Sequence, residues 1–139
     1  MSGSMRNNHL AAYSSVATHG GIAADDPHRL ILMLMDGALE RIAMARGSLQ
    51  RGDIVQKAAL VQRIVSIVVE LRASLDLERG GSLAQSLDEL YGYMERQLTR
   101  ANSENKTEYL DEVGSLLGEI RSAWVAVPLA VKTERAASR

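Results

Sequence analysis

Residues 82–101 read SLAQSLDELYGYMERQLTRA. Leu83, Leu87, Leu90, Tyr91, Met94, Leu98 and Ala101 recur in steps of three and four, with Leu90 and Tyr91 side by side. That spacing collects apolar side chains on one face of an α-helix, where a strand would alternate every second residue. Ser82 and Gln85 form an S-x-x-Q capping box at its start. After a polar turn at 102–106, Leu110, Val113, Leu117, Ile120, Trp124 and Val127 repeat the rhythm. Pro128 is expected to end or kink this last helix, with a flexible tail over 129–139.

Upstream, Asp26 is an N-cap and Pro27 already has helical φ, so a first helix is predicted from there to Arg51, stopping at Gly52 and Asp53. Asp53 caps a second helix, predicted to reach Arg79 before Gly80 and Gly81 break it. No strand-like alternation of useful length occurs. Short connections favour antiparallel neighbours. The expected fold is all-α: an antiparallel up-down four-helix bundle over 26–128, preceded by a mobile N-terminal arm, 1–25. Residues 1–4, ahead of a second methionine at Met5, read as an appended stretch of no structural weight. Within the arm, Leu10, Tyr13 and Val16 make one amphipathic turn, too short to be stable unless it lies on something.

The 139 residues are 46% hydrophobic, enough for one domain with a real core, but only 4% aromatic, with no Phe. The core must therefore be built from Leu, Ile, Val, Ala and Met. Sixteen Lys plus Arg against seventeen Asp plus Glu leave a charge of −1, which provides no footprint for nucleic acid or an anionic membrane. The absence of Cys excludes disulfides, thiolate metal sites and a cysteine nucleophile. No run approaches the roughly 20 apolar residues of a membrane span, and the N-terminus lacks a basic-then-apolar export signal. A cytoplasmic protein is expected.

The four helices differ in how much apolar surface they carry. At 100° per residue, the apolar arcs of the third and fourth cover roughly 100–120°, as one core-facing stripe requires. The first covers roughly 180°, with Leu30, Met33 and Met44 outside even that arc. The second covers roughly 200°, including Val65 and Val69. This surplus is either covered by the arm or by a second copy, or it is a groove for a partner's amphipathic segments. Both hold if the arm caps the groove until a partner displaces it. Met33 and Met44 fit a surface that must adapt to its partner.

Chemistry-bearing constellations are missing. His9, His19 and His28 lie in the arm or at the start of the first helix, so no mid-helix His is available for phosphotransfer. Glu-x-x-His pairs for a di-iron site are absent. Glu108, Asp111 and Glu112 read as a solvated helix start favoured by the macrodipole. Gly80 and Gly81 read as a helix stop, because no Lys-Ser/Thr follows to make a phosphate cradle. Gly37, costly within a helix by about 1 kcal/mol, is expected to permit a close helix approach. Neither a catalytic set, a metal site nor a cofactor is expected.

Several of these segments, in this order, resemble a known family. They are LILMLMDGALERIAMA at 30–45, Gly52-Asp53 with Lys57, Glu70-Leu71, Ser74-Leu75-Asp76 and Gly80-Gly81. Leu87, the run from Leu90 to Met94, Leu98, Ala101-Asn102, Glu112-Val113, Leu116-Leu117 and Ala123-Trp124 complete the series. Together they resemble the flagellar secretion chaperone FliS family, from about Tyr13 to Trp124. The resemblance implies a non-enzymatic chaperone that holds the disordered C-terminal segment of flagellin, prevents premature polymerisation and aids delivery to the flagellar type III export gate. It also implies that Leu10 and Tyr13, in an LAAY motif, cap the hydrophobic surface in the free protein, with Val16 beside them. Leu30, Met33, Met44, Val65 and Val69 are then the expected flagellin groove. The family usually places an aromatic residue where Met35 stands. The alternative reading is a self-associating bundle serving as a structural or regulatory interaction module, and a weak homodimer is compatible with either.

Overall fold

The computed structural model describes residues 26–137, with side chains as far as Ala126. The expected arm, with Leu10, Tyr13 and Val16, lies outside the described residues. Four helices follow one another: α1 (Pro27–Arg51), α2 (Ile54–Ala73), α3 (Leu77–Glu104) and α4 (Thr107–Ala137). The first two caps are as the sequence predicts. Asp26 accepts from the Arg29 N–H and Asp53 from the Gln56 N–H, each at 3.1 Å. Gly52 takes the left-handed conformation that closes α1, with φ 74°.

Two boundaries differ from expectation. The second helix ends at Ala73, not at Arg79. Ser74 stops it, its hydroxyl donating to the Leu71 carbonyl at 2.6 Å. Asp76 then caps α3 through the Arg79 N–H at 3.1 Å. The Gly80-Gly81 pair falls inside α3, where Gly81 (φ 57°, ψ −137°) interrupts the helix before it resumes. At the other end, α4 does not stop at Pro128: the helix runs on to Ala137.

Side-chain contacts fix the topology. At the two ends of α1, His28 reaches Trp124 and Arg46 reaches Asp111, so α1 and α4 are antiparallel. Lys57 meets Asn102 and Arg72 meets Asp88, so α2 and α3 are antiparallel. Helix α1 also packs on α2, and α3 on α4, which closes a ring of four neighbours. The core inside this ring is a ladder of apolar residues at heptad-like spacing. It comprises Ile31, Met35, Ala38, Ile42 and Ala45 from α1, and Val61, Ile64, Ile67, Val68 and Leu71 from α2. Tyr91, Met94, Leu98 and Ala101 come from α3, with Leu110, Val113 and Leu117 from α4. Met35 is fully buried, so this position belongs to the core.

Candidate functional site

The candidate site is the outer surface of α1 and α2, and its geometry starts from Gly37. A Cβ there would lie 3.9 Å from Ile67 Cδ1, in ordinary van der Waals contact, so this line of α1 faces α2. The tight neighbour of Gly37 is Arg41 of its own helix, 3.2 Å from such a Cβ. Arg41 Nη1 folds back to donate to the Gly37 carbonyl at 3.1 Å. The glycine thus makes room for that guanidinium more than for a neighbouring helix. Met33, four residues before Gly37, and Met44, seven after, share its side of α1. Both are exposed, at 38% and 46%. Leu30, expected beside them, is buried.

Val65 and Val69 lie elsewhere. Residues two positions apart are about 160° apart around a helix axis, so Val65 and the α1-facing Ile67 occupy nearly opposite flanks of α2. Arg72, seven residues after Val65 and three after Val69, marks their flank as the one beside α3. Both valines are half-buried, and Val65 packs against the core. Between the two flanks runs an exposed polar ridge of Gln62, Arg63 and Ser66. The five expected residues therefore do not line one groove. Met33, Met44 and the buried Leu30 belong to the α1–α2 seam, and Val65 and Val69 to the α2–α3 seam.

The first turn of α2 carries further apolar surface. Ile54 and Val55 are exposed there, Val55 at 83%, beside Ala59. Sequence reasoning missed this pair, because a wheel projection gives the same weight to a residue at a helix end as to one covered by neighbours on both sides. The usable signal was their position directly after the Gly52-Asp53 stop. Leu83, 69% exposed just after the Gly81 interruption, was placed in the core stripe of α3 and lies outside the core.

Polar contacts fasten three of the four seams. Between α1 and α4, Arg121 pairs with Asp36, and Arg46 Nε with Asp111 at 2.9 Å. Between α2 and α3, Lys57 Nζ donates to both the backbone and side-chain oxygens of Asn102, at 2.8 Å each. Burial pushes the Lys57 ammonium below its ordinary pKa. Arg72 reaches Asp88 at 2.8 Å and Glu95 at 3.1 Å. The hydrogen bond from Arg72 holds the Asp88 carboxyl below the usual range. Between α3 and α4, Glu112 accepts from the Tyr93 hydroxyl at 2.8 Å and from Gln97 Nε2 at 2.8 Å. That bond and the carboxylate charge raise the Tyr93 pKa. Asp111 and Glu112 are therefore interhelical partners, where the sequence reading left them to solvent. Among the described residues no His, Asp and Glu cluster is arranged to hold a metal, and no helix is long and apolar enough to cross a membrane.

A family model described as flagellar protein FliS matches residues 8–131. The chain is 46% identical over 115 residues to the flagellar secretion chaperone FliSB of Pseudomonas aeruginosa, covering 83% of this chain and 91% of that protein. It is 40% identical over 116 residues to the flagellar secretion chaperone FliS of Salmonella typhimurium, covering 83% and 86%. The corresponding protein of Vibrio cholerae is 38% identical over 119 residues, covering 86% and 88%.

Proposed function

The chain belongs to the FliS family of flagellar secretion chaperones, and from that premise we propose that it binds the C-terminal segment of flagellin. In this reading it holds that segment from premature polymerisation in the cytoplasm and aids its delivery to the flagellar export gate, without catalysing a reaction. The observation that carries the reading is the exposed apolar patch along α1 and at the start of α2. Met33, Met44, Ile54 and Val55 stand exposed on it, and Val65 and Val69 lie in the next seam. A client that is disordered when free loses conformational entropy on binding, and burial of apolar surface offsets that loss. A charge of −1 suits recognition by burial better than long-range steering. The arm residues Leu10, Tyr13 and Val16 are proposed to cover part of this surface until the client arrives.

The test is calorimetric titration of the protein with a flagellin C-terminal peptide of about 40–50 residues, a length matched to the roughly 1,000–3,000 Å² that coupled folding buries. The expected result is a one-to-one complex with negative heat-capacity change and a gain of helix by circular dichroism. A peptide that stays disordered and does not bind overturns the proposal.

A further inference from the structure

Pro128 has no backbone N–H, so it cannot donate to the carbonyl four residues back, that of Trp124. The chain has two prolines, and the other is in the first turn of α1, so Trp124 holds the one carbonyl in α4 deprived in this way. That carbonyl is nevertheless paired. His28 Nε2 lies 2.7 Å from it. A carbonyl oxygen only accepts, so Nε2 carries the hydrogen. The bond is returned: Trp124 Nε1 donates to the His28 carbonyl at 2.9 Å. The two rings stack, with centroids 4.7 Å apart and planes within 5°. Beyond the clasp, α4 continues to Ala137.

We propose that His28 is a positioning residue that supplies, from α1, the hydrogen bond Pro128 removes from α4. It carries the helix across the proline and fastens the extension, 125–137, to the first turn of α1. Stacking alone would leave the Trp124 carbonyl to water. The donor is instead aimed at the carbonyl whose partner is missing by covalent structure, and the first turn of α1 is held in place for this by Asp26 and Pro27. Asp26, where the described chain begins, and Val125 both lie next to this clasp.

Hydrogen exchange of the full-length protein, followed by mass spectrometry over 125–137, tests this with His28→Phe, Pro128→Ala and the double variant. Phenylalanine keeps a ring for stacking and removes the donor. His28→Phe is expected to speed exchange about tenfold, the loss of one hydrogen bond. Pro128→Ala restores an N–H within α4, and in that background His28→Phe is expected to change exchange by less than about threefold. Equal acceleration in both backgrounds, or none beside Pro128, overturns the proposal. Faster exchange that extends to 57–71 in both backgrounds also overturns it, because His28 then acts through bundle packing.

Discussion

The Arg72 guanidinium occupies the space that a side chain at position 92 would need: a Cβ on Gly92 would come within 3.1 Å of Arg72 Nη1 and 3.2 Å of Cζ. Helix α3 carries a glycine there so that Arg72 can lie across it and reach Asp88 and Glu95 on either side. In an open helical position, Gly→Ala gains about 1 kcal/mol. Gly118 of α4 is such a position, with nothing within 4 Å of its Cβ site. Gly118→Ala is expected to raise stability by about that amount, and Gly92→Ala to show no gain, because Arg72 must shift away from two carboxylates. Urea midpoints of the two variants decide this, and an equal gain would mean that Arg72 yields freely.

Asp88 makes that arrangement sensitive to acid. Its folded pKa is depressed, chiefly by the hydrogen bond from Arg72. Its contribution is therefore present above the unfolded pKa, about 3.9, and is lost as pH falls through the lower folded value. Asp88→Asn is expected to be less stable than the parent near neutral pH, with the gap closing below about pH 4. Urea unfolding at several pH values measures the gap. A gap independent of pH would assign the loss to packing.

Lys57 is 2% exposed, yet its ammonium closes the end of α3 through Asn102. Lys57→Ala removes a buried stem and two hydrogen bonds and is expected to cost about 2–4 kcal/mol. Lys57→Met keeps the stem and should cost clearly less. Because burial lowers the folded pKa, the folded state binds fewer protons than the unfolded one between that value and about 10.4. Over that window the parent should gain stability relative to Lys57→Met as pH rises. Denaturant melts of both variants from pH 7 upward check the magnitude and the sign.

The caps and stripes were legible in the sequence because each depends on residues a few positions apart. Asp26, Asp53 and the α3 stripe from Tyr91 to Ala101 all took their expected places. The end of α2 was not legible. Leu75 follows Leu71 by four, so the apolar rhythm continues across a stop made by Ser74 and Asp76. The helix through Pro128 was hidden for the opposite reason. The local rule predicts a break, and the compensating donor, His28, lies 96 residues from the Trp124 carbonyl it serves. The candidate surface was half legible. Each helix of a closed ring packs on two neighbours, so the wheel gave the width of the apolar arcs but not which flank was covered. Leu30 is buried on the same line of α1 as Met44, and Val65 was joined to Met33 across a polar ridge.

That division of the surface governs the binding variants. Met33 and Val55 are exposed, so Met33→Asp and Val55→Asp are expected to leave the helical content and urea midpoint unchanged. If the flagellin segment rests on the α1–α2 seam and the start of α2, each should weaken its binding by about tenfold or more. Val65 packs against the core, so a carboxylate there should also lower stability, by about 1–3 kcal/mol. Arg63→Ala, on the ridge between the seams, should alter binding by less than about threefold, as rim positions do. Calorimetry with the C-terminal peptide, paired with urea melts of each variant, separates the two effects. Parent-like affinity in both Met33→Asp and Val55→Asp would take the client off this surface and leave the α2–α3 seam beside Val65 and Val69 as the place to look.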